Sequence, residues 1–406
     1  MTLAFRLSDL YLIQKEKLAV TLFHTGMLIA FLGSLNPWFM WSLTTLYRIP
    51  AAMLLAASYL VSKTMEKPIF TRTDYLLPLL AFLLFVLYEG FSSGGNINNF
   101  IMIAFRAVIM FCLFSIDTKR LLGLTTFIAK FMGAILTVSL AGYFLYLTGF
   151  PLPGRDAQFG EFYSFTNYYL LLVNDNDLFA LVPRFQSYFI EPSHIGSASA
   201  FLLFTQRGHW KRWYNIVLFA TIAFSFSLGA YVYMTAIIFL NLWIKKKKLF
   251  KKLLVVLMIF AAAITTAFTY NNGDNLVHDL ILLRLEVDDG ELAGDNRVTG
   301  NFEKDYENFL GSADIVFGRQ MEIVEFGNAG YKPFFYDHGL VGIMLIFSFY
   351  FIAMWKSSNK RAVVSALIVA ILYFIVSAFM LSEKVFISLY AAAYRDDEKP
   401  QKIPHD

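Results

Sequence analysis

Residues 271–335 read NNGDNLVHDLILLRLEVDDGELAGDNRVTGNFEKDYENFLGSADIVFGRQMEIVEFGNAGYKPFF. This is the one long polar run in the chain. Its 65 positions carry thirteen Asp/Glu against five Lys/Arg. The sequence on either side is strongly apolar. A segment this long inside a compact bundle is functional or disordered rather than a plain connection. We read it as a folded cap over a site at one face of a helical membrane protein.

Working outward, the composition sets the class. Of 406 residues, 57% are hydrophobic and only 16% are charged, whereas soluble domains carry about 25% charged residues. Uncharged runs approach the roughly 20 residues needed to cross a bilayer. Candidate spanning segments fall at about 18–36, 40–62, 74–90, 98–116, 121–148, 190–206, 214–228, 229–244, 252–270, 334–355 and 362–381. The expectation is an all-α fold: a polytopic membrane helix bundle of about 11–12 transmembrane helices in a single domain. Two long outer loops, 149–189 and 271–335, complete it. Val385–Tyr394 is too short to span and reads as a half helix or the end of a twelfth helix. Residues 1–17 mix Leu3, Phe5, Leu7, Leu10 and Leu12 with Arg6, Lys15 and Lys17, as a segment on the membrane surface does. Leu18–Leu35 reads as a first span rather than a cleaved leader. The single cysteine, Cys112, lies inside an apolar run and cannot form an intrachain disulfide.

Cations at the loops set the expected orientation. With the N-terminus inside, the inner connections hold twenty Lys/Arg and the outer ones seven. The net charge of +4 is therefore a topology signal and does not point to nucleic acid. In the first outer loop, Pro151, Pro153 and Gly154 precede Phe159, Phe162, Tyr163, Phe165, Tyr168 and Tyr169. Leu170–Val173 and Leu178–Val182 then flank a polar Asn174–Asp177 stretch, which fits a helix lying on the outer leaflet, and we expect the rings to anchor at the membrane interface. Stacking of those rings on sugars is the alternative.

Three cations fall within the expected spans: Arg48, Arg106 and Lys130. Ionisable residues at such depth face the protein interior or a watery cavity. Arg48 and Arg106 each stand eight positions in from the outer end of a span, about 12 Å deep at 1.5 Å per residue. Matching depth points to one shared cavity, with Glu89 as a partner for one arginine. Guanidinium suits the phosphates of a lipid head group because it forms paired hydrogen bonds. Structural pairing or snorkelling is the plainer alternative, and it is favoured for Lys130.

The stretch 184–196, RFQSYFIEPSHIG, leads into an apolar helix. Pro192 suits the first helical position, and Glu191 beside it is favoured by the helix N-terminus. A carboxylate there also has the chemistry of a general base toward a hydroxyl. No Gly-rich phosphate loop, zinc spacing or His-x-x-Glu pattern occurs. The acidic run Asp288, Asp289, Glu291 and Asp295 lacks the ordered spacing of a calcium loop. No metal or cofactor is expected.

Three features resemble the O-antigen polymerase and ligase family, integral-membrane glycosyltransferases acting on undecaprenyl-pyrophosphate-linked sugars. The first is Arg184-Phe185 followed by Phe189-Ile190-Glu191-Pro192-Ser193 at a helix start. The second is Ser225-Phe226-Ser227-Leu228-Gly229-Ala230-Tyr231, which lacks the arginine the family often carries there. The third is the late outer loop, with Arg284, Arg297, Phe317-Gly318, Asn328 and then Gly339-Leu340-Val341-Gly342. The resemblance implies a metal-independent inverting polymerase that joins lipid-linked oligosaccharide repeats on the outer face of a bacterial plasma membrane. Its partners would be lipid-linked donor and acceptor, membrane lipid and a protein regulating chain length. Outer-loop arginines would handle pyrophosphate; Arg184 and Arg297 match that pattern, with Arg319 a further candidate. Ligases of the family carry a His-Asn pair entering the late helix. Here Gly327 precedes Asn328, and His338 follows ten residues later, which favours polymerase over ligase. Glu191 or His338 would assist deprotonation. A flippase for the same lipid-linked sugars is the rival from another class.

Overall fold

A computed structural model describes residues 2–92, 97–160, 163–175, 182–207, 209–245, 300–319, 330–377 and 379–395, with scattered positions between 258 and 292. The expected span at 252–270 lies largely outside the described residues, as do Arg284, Arg297 and Asn328.

Helices dominate. In chain order they are α1 (Thr2–Gly33), α2 (Arg48–Lys63), α3 (Leu76–Ser92), α4 (Ile97–Ser115), α5 (Thr118–Leu147), α6 (Pro192–Thr205), α7 (Trp213–Phe224) and α8 (Leu228–Lys245). After the 271–335 region begins come α9 (Gly300–Leu310), α10 (Tyr331–Trp355), α11 (Lys360–Val376) and α12 (Glu383–Ala393). Among the described residues, four segments are long and apolar enough to cross a membrane: 13–33, 118–147, 228–245 and 331–355. Shorter apolar helices at Leu76–Phe91, Phe100–Ser115 and Trp213–Phe224 stand beside them. Apolar side chains also point outward in helical stripes. Leu77, Leu80, Leu84 and Leu87 do so on α3, and Val364, Ile368, Ile371 and Ile375 on α11. Such stripes would be an association hazard in water, and they fit a helical membrane protein.

Two elements depart from the sequence expectation. The described residues of the 149–189 loop contain no surface helix, and 176–181 lie outside the described residues. The loop folds into an antiparallel sheet of β1 (Arg155–Phe159), β2 (Tyr163–Asn167) and β3 (Leu172–Asn174), in that order. The architecture is therefore mostly but not entirely α. The reason is visible in the pairing. Phe159 faces Tyr163 across a tight turn at Gly160, and Phe165 and Leu172 pack on Ile190 with Trp38 and Trp41 around them. Aromatic residues gain more from such cross-strand and underlying contacts than from a helix on a lipid surface. The second departure is at 40–47, expected to be spanning helix. Trp38–Leu43 is instead a 3-10 turn, and α2 begins only at Arg48.

The last helix is the centre of the bundle. α12 packs against α11, α6, α1, α5 and α10, and every residue from Glu383 to Ala393 is buried. α6 is similarly enclosed, with Ile195 through Thr205 all buried. A helix apolar on all faces belongs in an interior, and Ala391, Ala392 and Ala393 let neighbouring backbones approach closely.

Candidate functional site

α6 and α12 are short and run parallel. At 14 and 11 residues they rise about 21 Å and about 16 Å, less than the roughly 30 Å of a hydrocarbon core. Their C-terminal ends cap each other. Arg395, just past α12, donates to the carbonyl of Thr205 in α6, and Arg207, just past α6, donates to the carbonyl of Ala392 in α12. Lys245 donates in turn to the Arg207 carbonyl. Cations at helix C-termini satisfy orphan carbonyls and suit the dipole.

Charges gather at the N-terminal ends of these helices. Glu383 is the first residue of α12, and its side chain is 1% exposed. Arg48 Nε donates to Glu383 Oε1 at 3.0 Å, and the Tyr47 hydroxyl donates to Oε2 at 3.1 Å. Arg106 Nε lies 3.4 Å from the same Oε1. Arg106 also donates to the Leu381 carbonyl, and its Nη1 lies 3.9 Å from Glu89 Oε2. The two arginines and Glu89 named from the sequence thus meet, around a carboxylate that the sequence reading did not single out. Arg48 arrives there differently from the expectation. It opens α2 rather than lying eight positions inside a helix.

Lys384 follows Glu383 as the second residue of α12. It is 2% exposed, and its backbone N–H is held by Ser34 Oγ at 2.9 Å. Its charge interacts with Glu191. Glu191 is the N-cap of α6, in extended conformation, with Pro192 the first helical residue as expected. One Glu191 oxygen accepts from the Tyr163 hydroxyl of β2, and the other accepts from Ser193 Oγ at 2.6 Å. The sheet therefore sits directly on this carboxylate.

Arg184 lies on a backbone pinned at both neighbours. Tyr143 donates to the Pro183 carbonyl at 2.8 Å, and Phe185 N–H donates to the Phe224 carbonyl at 2.9 Å. Arg319 belongs to the cap. Its Nε meets Asp314 at 2.5 Å, and its Nη1 lies 3.5 Å from Asp305. The hydrogen bond to Asp314 raises its already high pKa. Lys130 lies on the exposed face of α5.

His338 sits where α10 breaks. Gly339 has φ +59° and ψ −166°, outside helical space. The interrupted ladder is repaired by the cap: Arg319 N–H donates to the Tyr336 carbonyl at 2.7 Å, and Val341 N–H donates to the Val316 carbonyl at 3.0 Å. Gly318, φ +85°, fits against this break, where an added Cβ would lie 2.3 Å from the Asp337 oxygen. Phe302, Phe309 and Tyr336 make the small core that joins α9 of the cap to α10. The Tyr88 hydroxyl bridges the carbonyls of Phe317 and His338 at 2.7 and 2.9 Å. His338 itself is stacked on Phe334, ring centroids 4.6 Å apart. Its Nδ1 is 3.2 Å from the Phe334 carbonyl. Its Nε2 is buried and has no hydrogen-bond partner among the described residues. The Glu89 charge reaches both His338 and Arg106.

The sequence signal for Glu383 and Lys384 was present but weak. An acid beside a lysine at the head of a short apolar run reads as an ordinary helix start. Compared with protein-family models, with curated proteins and with solved structures, the chain matches none.

Proposed function

We propose that this protein is a polysaccharide polymerase that joins polyprenyl-pyrophosphate-linked oligosaccharide repeats at the outer face of a bacterial plasma membrane. One observation carries the reading: Arg48 and Arg106 converge on the first residue of the short buried helix α12, and the next residue, Lys384, interacts with the N-cap acid of the short buried helix α6. Helix N-termini favour anions, and guanidinium matches phosphate oxygens. The apolar outer stripes give the lipid tails a place in the bilayer, and the sheet and cap give the sugars one.

In the proposed reaction the acceptor repeat's hydroxyl oxygen attacks the anomeric carbon of the donor glycan. The bond from that carbon to the pyrophosphate oxygen breaks with inversion, and the carrier leaves as an anion. The cations stabilise the charge that builds on the leaving group, a role worth most in a water-excluded site. The hydroxyl proton goes to Glu191 or His338. In His338, an Nδ1–H given to the Phe334 carbonyl leaves the Nε2 lone pair as acceptor. Arg48 and Arg106 already share Glu383, so among these three cations the donors left for a phosphate are the terminal nitrogens of Arg48 and the ammonium of Lys384, with the outer-loop Arg184 a further candidate.

A flippase for the same lipids is the second reading, favoured by the short helices themselves. Transporters commonly present half-helix N-termini to anionic groups near mid-membrane. The glycans of a deletion strain separate the readings. Loss of a polymerase leaves single repeats on the carrier, facing outward. Loss of a flippase leaves them facing the cytoplasm. Loss of a ligase-type transferase leaves long chains on the carrier, and an unchanged glycan pool overturns the whole class.

A further inference from the structure

We infer that Lys384 is a phosphate-contacting residue, its ammonium binding an anionic oxygen of the carrier's pyrophosphate between the N-termini of α6 and α12. The inference rests on the polymerase reading and names the part of the substrate this end of the site takes.

Lysine is almost never fully buried unless paired, because its ammonium is a compact, strongly hydrated charge. Lys384 is 2% exposed. Among the described residues its Nζ makes no hydrogen bond. Among the described residues the opposite charge acting on it is that of Glu191, and both oxygens of that carboxylate accept hydroxyls, from Tyr163 and Ser193. The ammonium donors are therefore unmatched by a protein acceptor among the described residues, in a side chain that is almost wholly buried, where pairing a charge matters most. The position is not accidental in the chain. Ser34 Oγ holds the Lys384 backbone, Tyr350 holds the Met380 carbonyl at 2.6 Å, and Arg106 holds the Leu381 carbonyl. The turn that aims Lys384 is thus fastened by three other elements.

Glu383 and Lys384, adjacent in sequence, divide the locus. Glu383 turns to α2 and α4 and neutralises one charge of the two arginines. Lys384, the second residue of α12, feels the charge of Glu191 at the N-cap of α6, and helix N-termini favour an anion. A phosphate oxygen supplies what the site lacks: negative charge with several acceptor lone pairs. A free phosphate or a lipid phosphate monoester offers the same chemistry, so the binding arms separate the sources.

The test uses the full chain in lipid nanodiscs. Binding of polyprenyl pyrophosphate, polyprenyl monophosphate and inorganic pyrophosphate is measured for wild type, Lys384→Arg and Lys384→Met. The expected result is polyprenyl pyrophosphate binding weakened about 10- to 100-fold in Lys384→Met, as for loss of a charged hydrogen bond, and largely kept in Lys384→Arg. Inorganic pyrophosphate competing with the carrier would assign recognition to the phosphates. Preference for the monophosphate would overturn the pyrophosphate assignment. Equal carrier affinity for wild type and Lys384→Met would overturn the role of Lys384 while leaving the polymerase reading intact. Failure of wild type to bind any polyprenyl phosphate would overturn that reading itself. Should Lys384→Met not fold, the pair Lys384→Met with Glu191→Gln removes both charges together and carries the same measurement.

Discussion

Arg48 Nε lies 3.0 Å from Glu383 Oε1 across 335 positions of sequence. The contact ties the second helix to the last, and Arg106 shares the same oxygen. Two cations on one buried anion make the three residues unequal in what their loss would do.

Removing Glu383 leaves two guanidinium groups facing each other in an apolar interior. Breaking a buried pair this way costs about 3–5 kcal/mol. Glu383→Ala should therefore lower the thermal unfolding midpoint in detergent more than Arg48→Ala, which leaves Arg106 and Glu383 paired. Equal midpoints for the two variants would show that the carboxylate does not organise the cluster.

Gly318 and Gly339 both hold positive φ, and their backbones touch where the cap enters the break in α10. An alanine at either forces a residue with a side chain into strained backbone, a cost of about 1–3 kcal/mol, and also drives its Cβ into the partner strand of chain. We expect Gly339→Ala to undock the cap. Limited proteolysis should then cut within 300–319 many times faster, with polymer lost and the melting of the bundle little changed. A cap as resistant as wild type would refute the latch.

The orientation is testable because Cys112 is buried and so gives a silent background. A cysteine replacing exposed Gln158 on β1 should react with an impermeant thiol reagent in intact cells. One replacing exposed Lys360 at the start of α11 should react only after permeabilisation. The opposite pattern would put the sheet in the cytoplasm and end the outer-face chemistry.

Arg184 stands on backbone fixed by Tyr143 and Phe224, so its side chain starts from a rigid base. If its fork grips the leaving pyrophosphate, Arg184→Ala should lower polymerisation by about 10²–10³. Arg184→Lys keeps charge without the planar fork and should be intermediate. Polymer length and amount at matched protein level decide this, and full activity from lysine would reduce Arg184 to an anchor.

Reciprocal capping predicts a coupled pair at the other end of the short helices. Arg395→Ala removes the guanidinium donor from the Thr205 carbonyl, and Arg207→Ala leaves the Ala392 carbonyl only the backbone N–H groups past α12, so each variant loses a charged hydrogen bond worth about 1.5–3 kcal/mol. Because both hold the same helix pair in register, the double variant should lose less than the two single losses combined. Strict additivity of the melting shifts would mean the two caps act independently.

The sequence by itself determined the class of this protein. Runs of apolar residues with few charges have few stable homes other than a helical bundle in lipid, so the helices at 76–92, 118–147 and 331–355 were legible from composition and length. Pro192 after Glu191 likewise marked a helix start, because proline tolerates that position and an acid is favoured beside it. Arg48 and Arg106 were conspicuous because charge at such depth is expensive. What covers them was not legible. Glu383 lies hundreds of residues away in a helix too short to count as a span, and only tertiary packing, which buries α12 among five other helices, turns that acid into their shared partner. The aromatic loop at 155–174 had no strong local preference, and its strands were decided by the surface that Ile190, Trp38 and Trp41 offered beneath it. The break at Gly339 was equally a tertiary outcome: a glycine inside an apolar run permits many conformations, and the docked backbone of Val316–Arg319 selects one by completing the hydrogen bonds the helix gives up.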